Sequence, residues 1–374
     1  MTRVAVIGAG VSGLVSAWAL TSAGVEVVVY DADDRGAASP VAAGMLAPGS
    51  ELTDGESELY RVGAECVRLW PDLAARLEAD SGIDVGLRTE GTLLIAHDLD
   101  EVSELERHEQ RLRDHGTPYR RLDRAALRAL EPAVLRSVKG AAHLPGDLSV
   151  DTTAVLAALR KALRHNGVRI NADRVQLACH ADRVVGVSSS LGEERYDCVV
   201  LAAGAHSNDI ASGAGVDLPV RPVKGELLRL RVPYPVVTHT LRARVDGVEI
   251  YVVPRRHGEI VLGASSVDCG FDTDRSVRAA LDLLRAATLL VPELRDAEIV
   301  SHDVGLRPGT PDNAPYLGPA REGLVAATGH YRHGYLLAPA TALAVVRGVL
   351  AHESPALTAQ LSPIRHHDRG DQAS

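Results

Sequence analysis

The first thirty residues consist of two short apolar runs separated by a stretch of small residues. The uniformly apolar run Val4–Ile7 is typical of a strand that is buried on both faces of a parallel sheet. Small and apolar residues then predict a helix over Ser12–Ala23, and Gly24 ends it. Val25–Tyr30 predicts a second strand, so the N-terminal pattern indicates a complete βαβ unit.

Helical and extended patterns continue along the chain. The stretch 90–96 predicts a strand, and the apolar stretch 196–205 predicts a further parallel strand of the first unit. Residues spaced for one apolar face predict helices at 57–81, about 99–114, 123–131, from Asp151 or Thr152 to about 165, and about 275–290.

The stretches "LLRLRV", "GVEIYVVPR" and "EIVLGASSV" alternate apolar and polar residues between positions 227 and 267. Alternation with period two predicts antiparallel strands that face a core on one side and solvent or a ligand on the other. Near the C terminus, "YLLAPATALAVVRGVL" predicts a last helix. Pro339 fits the first turn of that helix, which places the first helical residue at Leu336, Leu337 or Ala338.

The order of these elements predicts two domains that interleave, because the chain leaves the first unit and returns to it. The polar tail is expected to be disordered. We predict a first domain of residues 1–85, 146–220 and 320–365, a second domain of residues 86–145 and 221–319, and a disordered tail of residues 366–374.

The composition narrows the range of functions. The chain has 374 residues and a formal net charge of −9, which argues against nucleic acid or an anionic membrane as the main partner. Its apolar runs are too short to span a bilayer, so no membrane partner is expected. The four cysteines lack the spacing of a zinc site, so we expect free thiols in the cytoplasm and no metal.

The turn of the N-terminal unit carries the chemistry of dinucleotide binding. A GxGxxG pattern joins the first strand to the helix, and an acid at the end of the second strand is placed to bind a ribose hydroxyl. This pattern alone leaves FAD and NAD open. The predicted cofactor contacts in this unit are Gly8, Gly10, Val11, Ser12, Gly13 and Asp31.

The segment "GHYRHGYLLAPAT" raises a question about charge. His330, Arg332 and His333 come just before the last predicted helix, and a helix N terminus already carries partial positive charge. Their position predicts that an anionic group lies between this loop and the helix end.

Several motifs in the same order resemble those of the D-amino-acid oxidase-like flavoproteins, and most of all the glycine oxidases of thiamine biosynthesis. The matching stretches are "GAGVSG", "AAGMLAP", "PVKGE", "YVVPR", "GLRPGTPDNAPYLG" and "GHYRHGYLLAPAT", from about residue 3 to about 350. The resemblance implies an α/β FAD-binding Rossmann-like domain interleaved with an α+β substrate domain built on an antiparallel sheet. It also implies non-covalent FAD, a small amino acid substrate, oxygen, and a homo-oligomer (dimer or tetramer).

The resemblance further implies roles for individual residues. Arg307 and Tyr251 would bind the substrate carboxylate, and Arg332 would lie near the substrate amine and the flavin edge. Met45 would face the flavin ring and the substrate. The further cofactor contacts that it implies are Ala43, Gly44, Met45, Val175, Ala203, Gly204, His333, Gly334, Tyr335 and Leu336.

Some positions depart from the family pattern and leave alternatives open. Glu249 stands two residues before Tyr251 and is expected on the same sheet face, while His333 and Ala203 replace the usual residues. The substrate could be glycine, sarcosine or a small D-amino acid, and the product could serve the thiazole branch of thiamine biosynthesis or another pathway. The rival classes are an N-methyl amino acid oxidase, a quinone-linked dehydrogenase, an NAD-linked enzyme and a non-catalytic flavin-binding protein. A covalent flavin is disfavoured because no cysteine follows Cys269.

Overall fold

The structure is a computed structural model that describes residues 2–32 and 35–365 of the chain. Strands and helices alternate along these residues. The strands are β1 (Arg3–Ile7), β2 (Glu26–Tyr30), β3 (Met45–Leu46), β4 (Thr92–Ala96), β5 (Arg120–Leu122), β6 (Gly140–Leu144), β7 (Leu148–Ser149), β8 (Arg169–Asn171), β9 (Gln176–His180), β10 (Arg183–Ser189), β11 (Gly192–Arg195), β12 (Cys198–Leu201), β13 (Arg221–Arg231), β14 (Thr240–Val245), β15 (Val248–Pro254), β16 (Glu259–Gly263), β17 (Glu298–Gly309), β18 (Tyr316–Arg321) and β19 (Leu324–Thr328).

The helices agree closely with the sequence pattern. Asp151 and Asp123 cap two of them, because each carboxylate accepts backbone N–H bonds from the first turn that follows. The helices are α1 (Val11–Ser22), α2 (Ala38–Val41), α3 (Ser57–Ser81), α4 (Leu99–Asp114), α5 (Arg124–Leu130), α6 (Thr152–His165), α7 (Ser207–Ser212), α8 (Val277–Leu290) and α9 (Ala338–Leu350).

A six-stranded sheet forms the first domain, in the order β18-β19-β12-β1-β2-β8. Every pair in it is parallel except β18 with β19. β1 is fully apolar after Arg3 and lies in the middle, where both faces are covered. This confirms the predicted βαβ unit and the prediction that the apolar strand after residue 196, β12, is a parallel strand of the same sheet.

An eight-stranded sheet forms the second domain, in the order β17-β13-β16-β15-β14-β4-β6-β5. Its pairs are antiparallel except β14 with β4, so the alternating pattern was interpreted correctly. One face packs on α8 through a core of aliphatic side chains such as Leu228, Leu262 and Leu283. The other face therefore remains available to line a site.

The two domains interleave, as predicted. The chain enters the second sheet at β4, returns at β8, enters the second sheet again at β13 and returns at β18. The predicted boundary between residues 319 and 320 runs through β18, all of which pairs in the first sheet. The predicted disordered tail, residues 366–374, lies outside the described residues. Within the described ranges, no helix has both the length and the apolar character that a membrane span requires.

Candidate active site

A cavity of about 730 Å³ separates the two sheets. Its volume lies in the upper half of the usual range for ligand sites. One end is lined by the β1–α1 turn and the end of β2, and the other end is lined by the open face of the eight-stranded sheet. The cavity is therefore long enough to bring a ligand of the first domain against side chains of the second.

The end of the cavity in the first domain has the features of a dinucleotide site. α1 begins at Val11, whose N–H donates to Ser39 Oγ (2.9 Å), while the N-cap residue Gly10 supplies no side-chain bond and Ser12 lines the cavity beside it. A helix end of this kind binds a phosphate through backbone N–H groups and the helix dipole. Asp31 lines the cavity at the end of β2, with a carboxylate oxygen 3.9 Å from the Arg160 guanidinium. These groups fit the pyrophosphate and ribose of FAD.

The loop before β3 is held in place by hydrogen bonds that other segments donate to its carbonyl oxygens. Thr152 Oγ1 donates to the carbonyl of Ala42 (3.1 Å), Arg255 donates to that of Ala43, and the Val150 N–H donates to that of Gly44 (2.9 Å). In a trans peptide the N–H points away from the C=O. The N–H groups of Ala43 and Gly44, which have no partner among the described residues, therefore point away from these three donors, and both residues line the cavity.

Arg255 is a buried cation, and sequence reasoning did not identify its role. Its side chain is 7% exposed, and within the described part of the chain no carboxylate oxygen lies within 4.0 Å of it. Burial lowers the pKa of Arg255 to about 10, so the guanidinium stays charged at neutral pH. It holds the Ala43 carbonyl and places positive charge directly behind the loop.

Gly13 packs against the Gly8 carbonyl and does not line the cavity, and the remaining predicted cofactor residues divide into two groups. Gly8, Gly10, Val175, Ala203, Gly204, Gly334 and Tyr335 line the same cavity, as Met45 does. Their roles as cofactor contacts stay predictions. Among the described side chains, no group of three or more His, Cys, Asp or Glu is arranged to hold a metal ion.

His333 and Leu336 form the second group, and their roles as cofactor contacts also stay predictions. Neither residue lines the large cavity. Both face a separate small cavity beside Pro48 and Leu59, with 4% and 2% of their surfaces exposed. Leu336 instead contributes to the apolar core around α1, α3 and α9.

Arg307 and Tyr251 come together over the open face of the eight-stranded sheet. Arg307, on β17, leans across Gly225 on β13, where an added Cβ would lie only 2.5 Å from its Nη2. Tyr251, on β15, leans across Gly263 on β16, where an added Cβ would lie 2.6 Å from its Cε2. Since β13 and β16 are neighbours, two glycines make room for the guanidinium and the phenol to meet.

The place where the Arg307 guanidinium and the Tyr251 phenol come together is suited to binding a carboxylate. Arg307 donates to the carbonyl of Ser265 (3.0 Å), and no carboxylate of the described residues lies within 4.0 Å of its guanidinium. Burial raises the pKa of Tyr251, although the charge and hydrogen bond of Arg307 oppose this, so the phenol is a neutral donor. A guanidinium and a phenol thus offer charge-assisted and neutral hydrogen bonds to one anionic group.

The three basic residues of the C-terminal loop, which led us to predict a bound anion, have partners within the chain. His330 is buried, which lowers its pKa to about 3, and it contacts Thr341 Oγ1 (2.8 Å) and Ser12 Oγ (3.3 Å) as a neutral ring. His333 Nδ1 lies 3.4 Å from Glu51, and Arg332 Nη2 lies 2.7 Å from Glu56. Of these three side chains, His330 is therefore neutral, Arg332 is paired with an acid of the chain, and His333 lies beside one.

Glu51 and Arg242 are side chains of the cavity that sequence reasoning missed. Burial by itself would raise the pKa of Glu51, but His333, Arg242 and Arg332 together lower it to about 2. Arg242 stands directly across from Tyr251 on β14 and donates to the carbonyl of Ser50. Glu249 lines the cavity rim on the same sheet face as Tyr251, as expected, and pairs with Arg244.

Comparisons with known proteins agree with this geometry. The family model described as "DAO: FAD dependent oxidoreductase" matches residues 3–347. The glycine oxidase of Geobacillus kaustophilus is 34% identical over 368 residues, 97% of each chain. The crystal structure of a glycine oxidase from that organism has a TM-score of 0.89 at 33% identity and covers 98% of this chain and 100% of its own.

Two further relatives widen the comparison. The bifunctional protein ThiO/ThiG of a Nostoc species is 36% identical over 96% of this chain, which matches 54% of the longer protein. The crystal structure of the iminodiacetate oxidase of a Chelativorans species has a TM-score of 0.87 at 26% identity, covering 96% of this chain and 99% of its own.

Proposed function

The chain belongs to the DAO family of FAD-dependent oxidoreductases, and we propose that it oxidises glycine at the carbon between the amine and the carboxylate. The observation that carries this proposal is the convergence of Arg307 and Tyr251 over Gly225 and Gly263, inside a cavity that also contains a dinucleotide site. Similarity to glycine oxidases over nearly the whole chain supports the same substrate.

The substrate carboxylate is bound at the open face of the second sheet. Arg307 binds it through two parallel N–H donors, and the Tyr251 hydroxyl adds a neutral bond. Because these side chains cross neighbouring glycines, their positions are set before the substrate arrives. Binding the carboxylate in one orientation fixes which bond of the α-carbon faces the first domain.

The remaining side chains position rather than react. Arg332 is held by Glu56, so its guanidinium is fixed at the edge of the cavity. The buried Arg255 and the N–H groups of Ala43 and Gly44 would supply positive potential to a flavin bound at this loop, which would stabilise the negative charge of its reduced form. FAD, held by the βαβ turn, Asp31 and this loop, supplies the two-electron acceptor.

The reaction balances with oxygen as the final oxidant. Glycine loses a hydride from its α-carbon and a proton from its amine, which leaves an imine. Water converts the imine to glyoxylate and ammonia, and oxygen takes up the two electrons as hydrogen peroxide. The similarity to ThiO/ThiG favours the thiazole branch of thiamine biosynthesis as the pathway.

One observation favours a second candidate, an oxidase of N-substituted glycines such as sarcosine. The cavity does not end at Tyr251 but continues along β14 to Leu105 and His108 of α4. Glycine needs none of that space. A cytoplasmic location and a homo-oligomer are further parts of the proposal, and they rest on the resemblance to the family.

Product analysis tests the proposal. Purified protein incubated with glycine in air should form glyoxylate, ammonia and hydrogen peroxide in equal amounts while consuming oxygen. Omission of the amino acid, or its replacement by acetate, should abolish all three products. Oxygen uptake without glyoxylate would contradict the proposed reaction.

A further inference from the structure

The part of the cavity beyond Tyr251 contains a second guanidinium. Arg242 lies on β14 directly opposite Tyr251, and its half-buried side chain lines the cavity. Its Nη1 donates to the carbonyl of Ser50, so the guanidinium is anchored at one nitrogen. Arg242 also affects the pKa of Tyr251 and of Glu51 through its charge, which indicates that it lies beside both.

The arginines around the substrate end of the cavity differ in their partners. Arg332 is paired with Glu56, and Arg244 is paired with Glu249. Arg307 and Arg242 have no carboxylate oxygen within 4.0 Å in the described ranges of the chain. Two guanidiniums thus meet the cavity without an acid of the protein to neutralise them.

Glu51 does not remove this imbalance. Its carboxylate lies 3.4 Å from His333 Nδ1, whereas no oxygen of Glu51 lies within 4.0 Å of the Arg242 guanidinium. His333, Arg242 and Arg332 each lower the pKa of Glu51, so Arg242 is one of three groups that stabilise its negative charge. Arg242 therefore keeps N–H donors that a ligand can use.

The two guanidiniums belong to different parts of the sheet. The Arg307 guanidinium lies over β13, while Arg242 starts from β14. β16 and β15 separate these two strands. Glycine has one carboxylate and offers nothing to Arg242 when that carboxylate is bound by Arg307, whereas an amino acid with a second carboxylate has an anionic group for each guanidinium.

We propose that Arg242 forms a second anion subsite and that the enzyme prefers amino acids carrying a second carboxylate. This inference rests on the proposed function, because Arg307 and Tyr251 hold the first carboxylate. The second carboxylate is attached either to the nitrogen, as in iminodiacetate, or to the α-carbon side chain, as in D-aspartate. Glycine and sarcosine fill only the Arg307 half of the site.

Oxidation of such a substrate has the same balance as that of glycine. Iminodiacetate loses a hydride from one α-carbon and the proton of its nitrogen, and the resulting imine is hydrolysed by water to glyoxylate and glycine. Oxygen takes up the two electrons as hydrogen peroxide. D-Aspartate would give oxaloacetate and ammonia by the same steps.

Kinetics of the holoenzyme test the inference. We expect kcat/KM for iminodiacetate or D-aspartate to exceed that for sarcosine at least 10-fold. Arg242→Gln should lower kcat/KM for iminodiacetate and D-aspartate by about 10- to 100-fold, mainly through KM, because one charge-assisted contact is lost. The same variant should change kcat/KM for glycine less than about 3-fold, and Arg242→Lys should recover part of the loss. The control Arg244→Gln alters a residue at the rim that is paired with Glu249. It should leave kcat/KM unchanged for glycine and for the dicarboxylic substrates.

A binding measurement separates this inference from the proposed function. Glutarate has the length of iminodiacetate but no amine, and butyrate is its monocarboxylate analogue. Glutarate should perturb the flavin spectrum at a concentration at least 10-fold lower than butyrate, and Arg242→Gln should remove that difference. Equal binding of both acids, or an equal loss for glycine and iminodiacetate in Arg242→Gln, would overturn the second subsite. Failure of every amine to reduce the flavin while glutarate still binds better would overturn the oxidase proposal alone.

Discussion

Substitution of Gly225 by alanine tests how the substrate carboxylate is positioned. The three atoms nearest to an alanine Cβ at this position would all belong to the Arg307 guanidinium, with Nη2 at 2.5 Å, well inside van der Waals contact. The guanidinium is the end of a flexible side chain, so it moves away while the strand keeps its path. The fold and the dinucleotide site should therefore survive, and the carboxylate contact should be lost.

The size of the effect follows from the bonds at stake. A hydrogen bond to a charged group contributes about 1.5–3 kcal/mol. Since about 1.4 kcal/mol corresponds to a factor of ten, Gly225→Ala should lower the second-order rate constant of flavin reduction by glycine about 10- to 150-fold. Gly263→Ala displaces the neutral Tyr251 hydroxyl, where an added Cβ would lie 2.6 Å from Cε2. A neutral bond of about 0.5–1.5 kcal/mol predicts a smaller loss, about 2- to 12-fold.

Anaerobic stopped-flow mixing with glycine measures these rate constants. FAD affinity and thermal unfolding of both variants serve as controls and should match the unchanged protein. A rate constant within about 3-fold of the unchanged protein in Gly225→Ala would refute the argument that this glycine places Arg307. Equal losses in the two variants would show that the charged and neutral contacts are not distinguished as described.

Four further predictions concern the substrate clamp, the cofactor and the C-terminal loop. Arg307→Ala should cost about 2–4 kcal/mol of transition-state binding, and a fall in kcat/KM of less than about 10-fold would contradict the clamp. Asp31→Ala should weaken FAD retention in equilibrium dialysis, and unchanged affinity would exclude the ribose contact. Arg255→Met should shift the flavin absorption and lower its reduction potential, with partial recovery in Arg255→Lys; an unchanged potential would limit Arg255 to a structural role. His330 is neutral in the fold with a pKa of about 3, so unfolding takes up a proton between pH 3 and about 6.5. The free energy of unfolding should therefore fall as pH falls through that window, by up to about 1.4 kcal/mol per pH unit, and fall less steeply in His330→Gln.

Elements with local signals were predictable from the sequence. The βαβ unit, the helix Ser57–Ser81 and the caps Asp123 and Asp151 depend on residues that are close together in the chain. The alternating strands were equally clear, because period two is a property of each strand alone.

Contacts between distant segments were less accessible. The sequence does not show that Glu51 and Glu56 meet the C-terminal loop, since this depends on how α3 packs against α9. For that reason the cations before α9 suggested a bound anion, whereas the chain itself neutralises them. The buried Arg255 likewise reaches a loop more than two hundred residues away.

In contrast to these long-range contacts, the position of Arg242 opposite Tyr251 could have been predicted from the sequence. The Asp246-Gly247 pair is a typical two-residue hairpin turn. Counting outward from it pairs Val245 with Val248 and reaches Arg242 opposite Tyr251, which is the register that the structure has. The second guanidinium could therefore have been found from the sequence once Tyr251 was assigned to the site.

The measurement that tests the central claim most directly is anaerobic addition of glycine to the purified protein, followed by the visible spectrum. The account predicts a yellow protein whose flavin band bleaches with glycine and returns, with hydrogen peroxide, when air is admitted. Arg307→Ala should bleach far more slowly under the same conditions. A yellow protein that neither glycine nor any of sarcosine, iminodiacetate and D-aspartate bleaches would contradict the assignment as an amino-acid oxidase.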